Sequence, residues 1–206
     1  MISLGLVSYT QGIAQSSEAV DDLVLAARSN ELPKVEQMIK TGMDPDTSDP
    51  QGNTLLIIAA SEGHFDMAKY LLSQRAKVRE RNAFGDTPLM LAALHGHLEL
   101  VRLLAAYGAD LNPPGWTPLH YCAWEGHTDV CALLVELGTQ VNARAVNGAT
   151  PLMMAAHQGK LETVRWLLDH GADPGLRTDV NATALDWAIK YDNSQVAELL
   201  RNAPVR

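Results

Sequence analysis

The feature that most constrains this chain is a short motif that returns at an almost constant interval. The motif is Thr-Pro-Leu-x-x-Ala-Ala or a close variant, and its successive copies begin 33, 30, 33 and 33 residues apart. A fixed period of this size indicates a repeat architecture, in which each unit buries its apolar side against its neighbours. The five copies begin at Thr54, Thr87, Thr117, Thr150 and Thr183.

Each copy of the motif predicts the same local structure. In the copy at Thr87, the threonine is a favourable N-cap because its hydroxyl can accept from an unpaired backbone N–H, and Pro88 suits the first helical position. Gly96 predicts the end of this helix. Apolar residues then recur at helical spacing over residues 98–104 and predict a second helix. Each repeat is therefore expected to hold two helices followed by an outward connector.

The motif resembles the ankyrin repeat. Residues 117–123, Thr-Pro-Leu-His-Tyr-Cys-Ala, match the T-P-L-H-x-A core of that family almost letter for letter. The resemblance implies an all-α ankyrin-repeat solenoid of helix-turn-helix units whose connectors form β-hairpin fingers. It also implies a protein–protein interaction module that binds its partner through the concave face and the finger tips.

We predict six repeats in one continuous domain over residues 17–206. The first repeat is divergent, because residues 21–27 lie one period before Thr54 but lack the Thr-Pro start. Terminal repeats are expected to be atypical, since each exposes a face that internal repeats bury. The expected bounds are about 17–50, 51–81, 82–112, 113–145, 146–177 and 178–202.

Residues 1–16 stand outside the repeats. A weak apolar run precedes Gly12-Ile13-Ala14, which resembles a signal-peptidase site, but no lysine or arginine occurs before Arg28. The segment is therefore interpreted either as an N-terminal tail or as a signal-peptide remnant. We expect a cytoplasmic location by default, and export to the periplasm or outside the cell if residues 1–14 are such a remnant.

Composition and motifs argue against several function classes. The formal net charge of −8 and the lack of a Lys/Arg stripe disfavour nucleic acid and anionic membranes as partners. No apolar run approaches the roughly 20 residues that span a bilayer. The chain has no G-x-S-x-G motif, phosphate loop or zinc-protease histidine pair. We therefore predict a non-catalytic protein without a cofactor, and we take a monomer as the default.

Most histidines are expected to be structural. His64, His97 and His127 each follow a helix-ending glycine, where the imidazole usually bonds to backbone, and His120 belongs to the repeat motif. His95 could pair with His97 on a metal ion, but no third ligand is fixed by the spacing.

Two cysteines and several large side chains are expected to face inward. Cys122 and Cys131 lie in the same repeat, and we interpret them as buried free thiols. A disulfide between them would need export and suitable geometry. The residues expected to fill the core on the first helices are Met90, Met153, Met154 and Trp187.

One connector departs from the period. Residues 113–116, Pro-Pro-Gly-Trp, are three residues shorter than the corresponding segment before Thr150. The prolines remove backbone donors, so this connector should not pair normally with its neighbours and should leave a notch. The shortening is either neutral or forms a shaped pocket roofed by Trp116, which would make the chain a small-molecule or metal binder.

The positions that the repeat framework leaves free predict the partner-binding site. Aromatic and apolar residues gather at these positions in repeats three to five, and such residues often act as binding anchors. Acidic neighbours would favour a basic partner. The alternative is that Trp116 and Trp124 pack on each other and on Pro113-Pro114 and merely seal the shortened connector. The predicted site residues are Phe84, Asp86, Leu94, His95, Trp116, Trp124, Glu125, Val146, His157 and Gln158.

Overall fold

Six consecutive pairs of α-helices make up the described part of the chain. A computed structural model describes residues 17–204, so the predicted tail or signal-peptide remnant lies outside the described residues. Within that range no helix has the length and apolar character needed to cross a bilayer. The helices are α1 Ser17–Arg28, α2 Leu32–Lys40, α3 Leu55–Glu62, α4 Phe65–Ser73, α5 Pro88–Leu94, α6 Leu98–Ala106, α7 Pro118–Glu125, α8 Thr128–Glu136, α9 Pro151–His157, α10 Leu161–Asp169, α11 Ala184–Lys190 and α12 Ser194–Arg201.

The chain divides into two compact units, Met1–Pro88 and Leu89–Arg206. In the first unit, α1 packs on α3 and α2 packs on α4. In the second unit, α9 packs between α7 and α11, while α6, α8, α10 and α12 follow one another as second helices. Within each unit, these first helices pack on first helices and these second helices on second helices. The predicted core methionines Met90, Met153 and Met154 are buried among leucine and alanine side chains.

The predicted threonine caps are seen at Thr54, Thr150 and Thr183. Thr54 Oγ1 accepts from the Ile57 N–H at 3.2 Å, and Thr150 Oγ1 accepts from the Met153 N–H at 3.4 Å. At Thr183 the cap is reciprocal, because Asp186 also accepts from the Thr183 N–H at 2.8 Å. Such caps satisfy donors that the first turn of a helix leaves unpaired.

In several pairs, the residue directly before the second helix contacts the preceding repeat. The ring of His127 lies so close to Gly96 (φ +75°) that a Cβ there would meet it at 2.7 Å. His64 Nδ1 lies 3.2 Å from the Ala27 carbonyl oxygen, and in the last pair Asn193 Nδ2 donates to the Ala156 carbonyl at 2.9 Å. The predicted bond between imidazole and backbone is seen at His64.

The connectors are tight turns, and the expected β-hairpin fingers are not found. In residues 17–204 the only β-pairing is one isolated bridge between Ser48 and Thr54. Each of four connectors is closed by a backbone N–H that donates to the carbonyl four residues later. At the first connector the Leu55 N–H also donates to the Thr47 carbonyl at 3.1 Å, yet no strand forms within the described residues. The four bonds are Asp49 to Asn53, Asn82 to Asp86, Ala145 to Ala149 and Thr178 to Ala182, at 2.8–3.1 Å.

The shortened connector does not pair as the others do, as expected. Elsewhere, neighbouring connectors are joined by a backbone bond, from Ala83 to Gln51 at 2.9 Å and from Asp179 to Asn147 at 3.1 Å. In the described chain, residues 113–116 have neither a closing bond of the kind above nor a backbone bond to the following connector. The closing donor of the other connectors lies five residues before the motif threonine, and the residue at that position here, Asn112, donates instead to Asp110 Oδ1 at 3.0 Å. Pro113 lies at the position from which Ala83 and Asp179 donate to the preceding connector, and proline has no N–H to donate.

The two cysteines form a disulfide, so the interpretation as free thiols is wrong. Cys122 on α7 and Cys131 on α8 are both fully buried and are bonded to each other. Their Cα atoms lie 5.7 Å apart, inside the range that a disulfide spans. The bond follows from the packing of the two helices of one pair, which turns both side chains toward the same interior.

Candidate partner-binding site

Six rings form a continuous row on the second unit, which we call the aromatic row. Trp116 lies in the shortened connector, Tyr191 directly follows α11, and the other four lie on the first helices of three successive pairs. The row consists of Trp116, Tyr121, Trp124, His157, Trp187 and Tyr191.

Trp116 begins the row and contacts three rings of α7, of which His120 lies 5.8 Å away and is buried beside the row. The Trp116 centroid lies 5.4 Å from that of Tyr121 with an interplanar angle of 68°, and 6.4 Å from that of Trp124 at 61°. Both are edge-to-face contacts, the arrangement that the quadrupoles of aromatic rings favour. The contacts fix the orientation of Trp116 although its connector lacks the turn bond of the others.

His157 lies at the centre of the row and joins the helices on either side. It stacks on Trp124 of α7 with centroids 4.7 Å apart and planes 26° apart. On its other side the ring lies 3.8 Å from the centroid of Tyr191 and 5.7 Å from that of Trp187. The row therefore runs without a break from α7 across α9 to α11.

The repeat register explains why these rings meet. Trp124 and His157 each lie seven residues after the motif threonine, and Tyr121 and Trp187 each lie four residues after it. Positions three apart share one face of a helix, and successive first helices pack side by side. Equal positions in successive repeats thus line up across the helices.

Three members of the row were not among the predicted site residues. Tyr191 and Tyr121 were not selected, and Trp187 was assigned to the core. That assignment is wrong, because Trp187 is half-buried and presents its ring to His157. The 33-residue period could have identified Tyr121 and Trp187. Both lie four residues after the motif threonine, on the same helix face as the position seven residues after it, at which Trp124 and His157 were selected.

The row is partly open to solvent. Trp116 is 36% exposed and Tyr191 is 43% exposed, while Trp124 and His157 are half-buried. The expected alternative is therefore met only in part: the two tryptophans do contact each other, but they are not sealed from solvent. An exposed aromatic surface of this kind can bury apolar area against a partner.

Charged groups lie near both ends of the row. Glu125, the last residue of α7, is exposed and directly follows Trp124. At the other end, Lys190 Nζ lies 5.3 Å from the centroid of the Tyr191 ring. Burial, and to a lesser extent the charge of Lys190, lower the pKa of His157. Its Nδ1 atom is buried and has no hydrogen-bond partner among the described residues.

The remaining predicted residues are placed away from the ring contacts. Phe84, 77% exposed, and Asp86 belong to the first unit, and Val146 is 88% exposed in its connector. Leu94 is the last residue of α5 and His95 directly follows it. The centroid of the His95 ring lies 6.1 Å from that of His97. Gln158 is half-buried and caps α9. Of the ten predicted residues, the structure joins three through ring contacts: Trp116, Trp124 and His157.

Two further expectations can be compared with the geometry. Within residues 17–204, no group of three or more His, Cys, Asp or Glu side chains is placed to hold a metal ion. Asp49, which could have joined an acidic rim, is instead buried and ion-paired with Arg28. Glu125 stays exposed beside the row.

Comparisons with known proteins agree with this architecture. A family model described as ankyrin repeats (3 copies) matches residues 23–82, 74–145 and 142–205. The putative ankyrin repeat protein YahD of Escherichia coli (strain K12) is 28% identical over 188 residues, covering 87% of this chain and 94% of that protein. An L-asparaginase of Dirofilaria immitis is 30% identical over 173 residues, covering 82% of this chain, but the match spans 29% of the asparaginase. With most of its length matched by the family model, this chain belongs to the ankyrin-repeat family.

Proposed function

We propose that this chain is a non-catalytic module that binds a protein partner through the aromatic row. Ankyrin repeats are in general protein-interaction modules, which supports the class of function. The observation that carries the choice of surface is the unbroken contact of six partly open rings across three first helices. Leucine and alanine side chains fill the layers between the helices, so the rings are available for another role.

The energetics of protein interfaces favour such a surface. Tryptophan and tyrosine are enriched among the residues that contribute most to binding free energy. Because the rings already hold one another in place, they would lose little conformational entropy when a partner binds. The exposed connector residues Phe84 and Val146 remain part of the proposed contact surface of their repeats.

Charge supports a basic partner. The chain carries a net charge of −8, and Glu125 lies exposed beside Trp124. Complementary charge would raise the rate of encounter with a basic protein.

Affinity capture with matched tryptophan variants tests the proposal. The intact chain, the double variant Trp116→Ala/Trp124→Ala and the control Trp166→Ala would be immobilised at equal density. Trp166 lies on α10, a second helix, and stacks on His170, so the control removes an indole away from the row. We expect the double variant to weaken partner binding by about 30-fold or more, and the control by less than about twofold.

Circular dichroism would establish that both variants keep the helical content of the intact chain. Equal capture by the intact chain and the double variant would refute the proposal. A small molecule or metal ion that raises the melting temperature of the intact chain but not that of Trp116→Ala would instead favour the alternative function.

The disulfide bears on the compartment in which the chain works. Disulfides persist in oxidising compartments and are rare in the reducing cytosol. The Cys122–Cys131 bond therefore supports the exported alternative over the cytoplasmic default. Mass spectrometry of the native protein tests this: we expect a mature N-terminus at or near Gln15 and no alkylation of either cysteine before reduction.

A further inference from the structure

His157 is held in place by rings, whereas other histidines of the repeats are held by hydrogen bonds. The ring of His120 has bonds at both nitrogens, to Thr117 and to the Ala149 carbonyl. His64 Nδ1 lies at bonding distance from the Ala27 carbonyl. The ring of His157 contacts the rings of Trp124, Tyr191 and Trp187, and its buried Nδ1 has no hydrogen-bond partner among the described residues.

The groups around His157 disfavour a charged imidazole. The helices packed against α9 are α7, α10 and α11. From α11 and the residue after it come the cation Lys190 and Tyr191, and α7 contributes Trp124 and, at its exposed end, Glu125. The other titratable groups of these helices are engaged elsewhere, Asp186 of α11 with Thr183 and His120 of α7 with Thr117 and the Ala149 carbonyl. The charged residues of α10 (Glu162, Arg165 and Asp169) are exposed, and none has an ion pair or ring contact with His157 in the described chain.

A protonated imidazole carries an N–H at both nitrogens, so the N–H at Nδ1 of the charged ring would have no acceptor in a place from which solvent is excluded. It would also add a positive charge near Lys190. The neighbouring rings would attract the cation, but they provide no hydrogen-bond acceptor in exchange for the lost water. The protonated ring is therefore better solvated outside the row.

We propose that His157 makes the aromatic row sensitive to protons: the neutral imidazole packs between Trp124 and Tyr191 and joins them, and protonation releases the ring into solvent and opens the row. This inference rests on the proposed function, since it describes the regulation of the same surface. It predicts that the chain holds its partner at neutral pH and releases it in acid.

The sign follows from linkage. Burial, with a smaller contribution from Lys190, lowers the pKa of the packed His157 below its ordinary value of 6.5. The released ring therefore binds the proton more tightly than the packed ring. The closed row is favoured above pH 6.5, and the open row gains population as the pH falls through the lowered pKa.

Nuclear magnetic resonance on the intact ¹⁵N-labelled chain tests the inference without a partner. The four indole N–H signals would be followed from pH 8 to pH 5 together with the ring signals of His157. We expect the Trp124 and Trp187 indoles to shift together, with a common midpoint below pH 6.5 that matches the titration of His157. In His157→Gln these shifts disappear, while the response of Trp166 on α10 is the same as in the intact chain.

A second variant keeps the test independent of folding in His157→Gln. Lys190→Gln removes the nearby cation but no ring, so the midpoint of His157 should rise toward 6.5. A midpoint at or above 6.5 in the intact chain would overturn the inference. So would a His157 titration that leaves the Trp124 indole unchanged, or a midpoint that Lys190→Gln does not raise.

The partner found by affinity capture separates this inference from the proposed function. We expect its affinity for the intact chain to fall at least about fivefold between pH 7.5 and pH 5.5, and to change much less for His157→Gln. If the double tryptophan variant loses the partner but acid has no effect on the row, the proposed function stands and the switch is refuted. If the row opens in acid but the tryptophans do not matter for capture, the proposed function is refuted.

Discussion

The second unit contains two stacks of tryptophan on histidine that look alike and are built differently. Trp124 and His157 lie with centroids 4.7 Å apart and planes 26° apart. Trp166 and His170 lie closer, at 3.8 Å and 14°. The first stack joins two successive helix pairs, whereas the second lies within and just after α10.

The difference lies in how each histidine is satisfied. His170 follows Trp166 by one helical turn, is exposed, and has its Nδ1 2.7 Å from the Trp166 carbonyl oxygen. His157 has its Nδ1 buried without a partner in the described chain and depends on rings from two other helices. A stack completed by its own helix is structural, whereas one completed by neighbouring repeats can respond when those repeats shift or when a proton binds.

The largest expected effect is a loss of folding stability in acid, caused by the buried His120 of α7 in the same unit as the two stacks. Burial lowers the pKa of His120 to about 4 from the ordinary value of 6.5, against the opposing effect of its bond to Ala149. The unfolded chain therefore binds this proton more tightly, and stability is lost as the pH falls from 6.5 toward 4. We expect the loss to reach about 3 kcal/mol, measured by urea unfolding at pH 7, 6, 5 and 4.

The His120→Gln variant provides the control. It removes the titrating group, so its free energy of unfolding should depend less on pH by about the same amount. A stability that is flat or rises as the intact chain is acidified would contradict the assigned role of His120. The two stacks can be compared only while the chain is folded, so the pH at which stability begins to fall sets the lower limit of that comparison.

The next effect concerns the disulfide, which involves the helix that carries Trp124 of the first stack and not the helix that carries Trp166 of the second. Cys122 lies on α7 two residues before Trp124 and is bonded to Cys131, nine residues away. Replacing both cysteines with alanine should lower the free energy of unfolding by about 2.5 kcal/mol, because the closed loop is short. The Trp124 indole signal should broaden or shift more than that of Trp166.

Reduction of the intact chain with a thiol reagent should reproduce this loss in urea unfolding. The same reagent added to the double alanine variant should change nothing. Equal disturbance of both indole signals would mean that the disulfide stabilises the unit as a whole and has no special link to the aromatic row.

The sequence predicted the parts of the fold that are local and periodic. The threonine caps and the contacts after the helix-ending glycines could be predicted because each depends on residues at fixed positions of one motif. The disulfide was harder to predict. A separation of nine residues places both cysteines in one helix pair, but it does not determine whether they are bonded. The β-hairpin fingers were inferred from the family, and the short loops here close as turns.

The sequence could predict those residues of the candidate site whose position is determined by the repeat period. Trp116, Trp124 and His157 were selected because they occupy free positions of the framework. Trp187 was placed in the core because its spacing along one helix cannot reveal how far the next helix covers it. The unpartnered Nδ1 of His157 likewise depends on three helices at once, so no stretch of sequence could indicate it.

The smallest expected effect isolates the two histidines themselves. His157→Ala removes contacts with three rings, and we expect it to lower the free energy of unfolding at pH 7.5 by about 1–2 kcal/mol. His170→Ala removes one exposed stack and one local hydrogen bond, so its cost should stay below about 0.5 kcal/mol. Urea unfolding of both variants beside the intact chain measures the difference. Equal costs would mean that the first stack is no more dependent on neighbouring helices than the second. In that case the contrast between a surface completed by several repeats and one completed by a single helix would have no energetic basis.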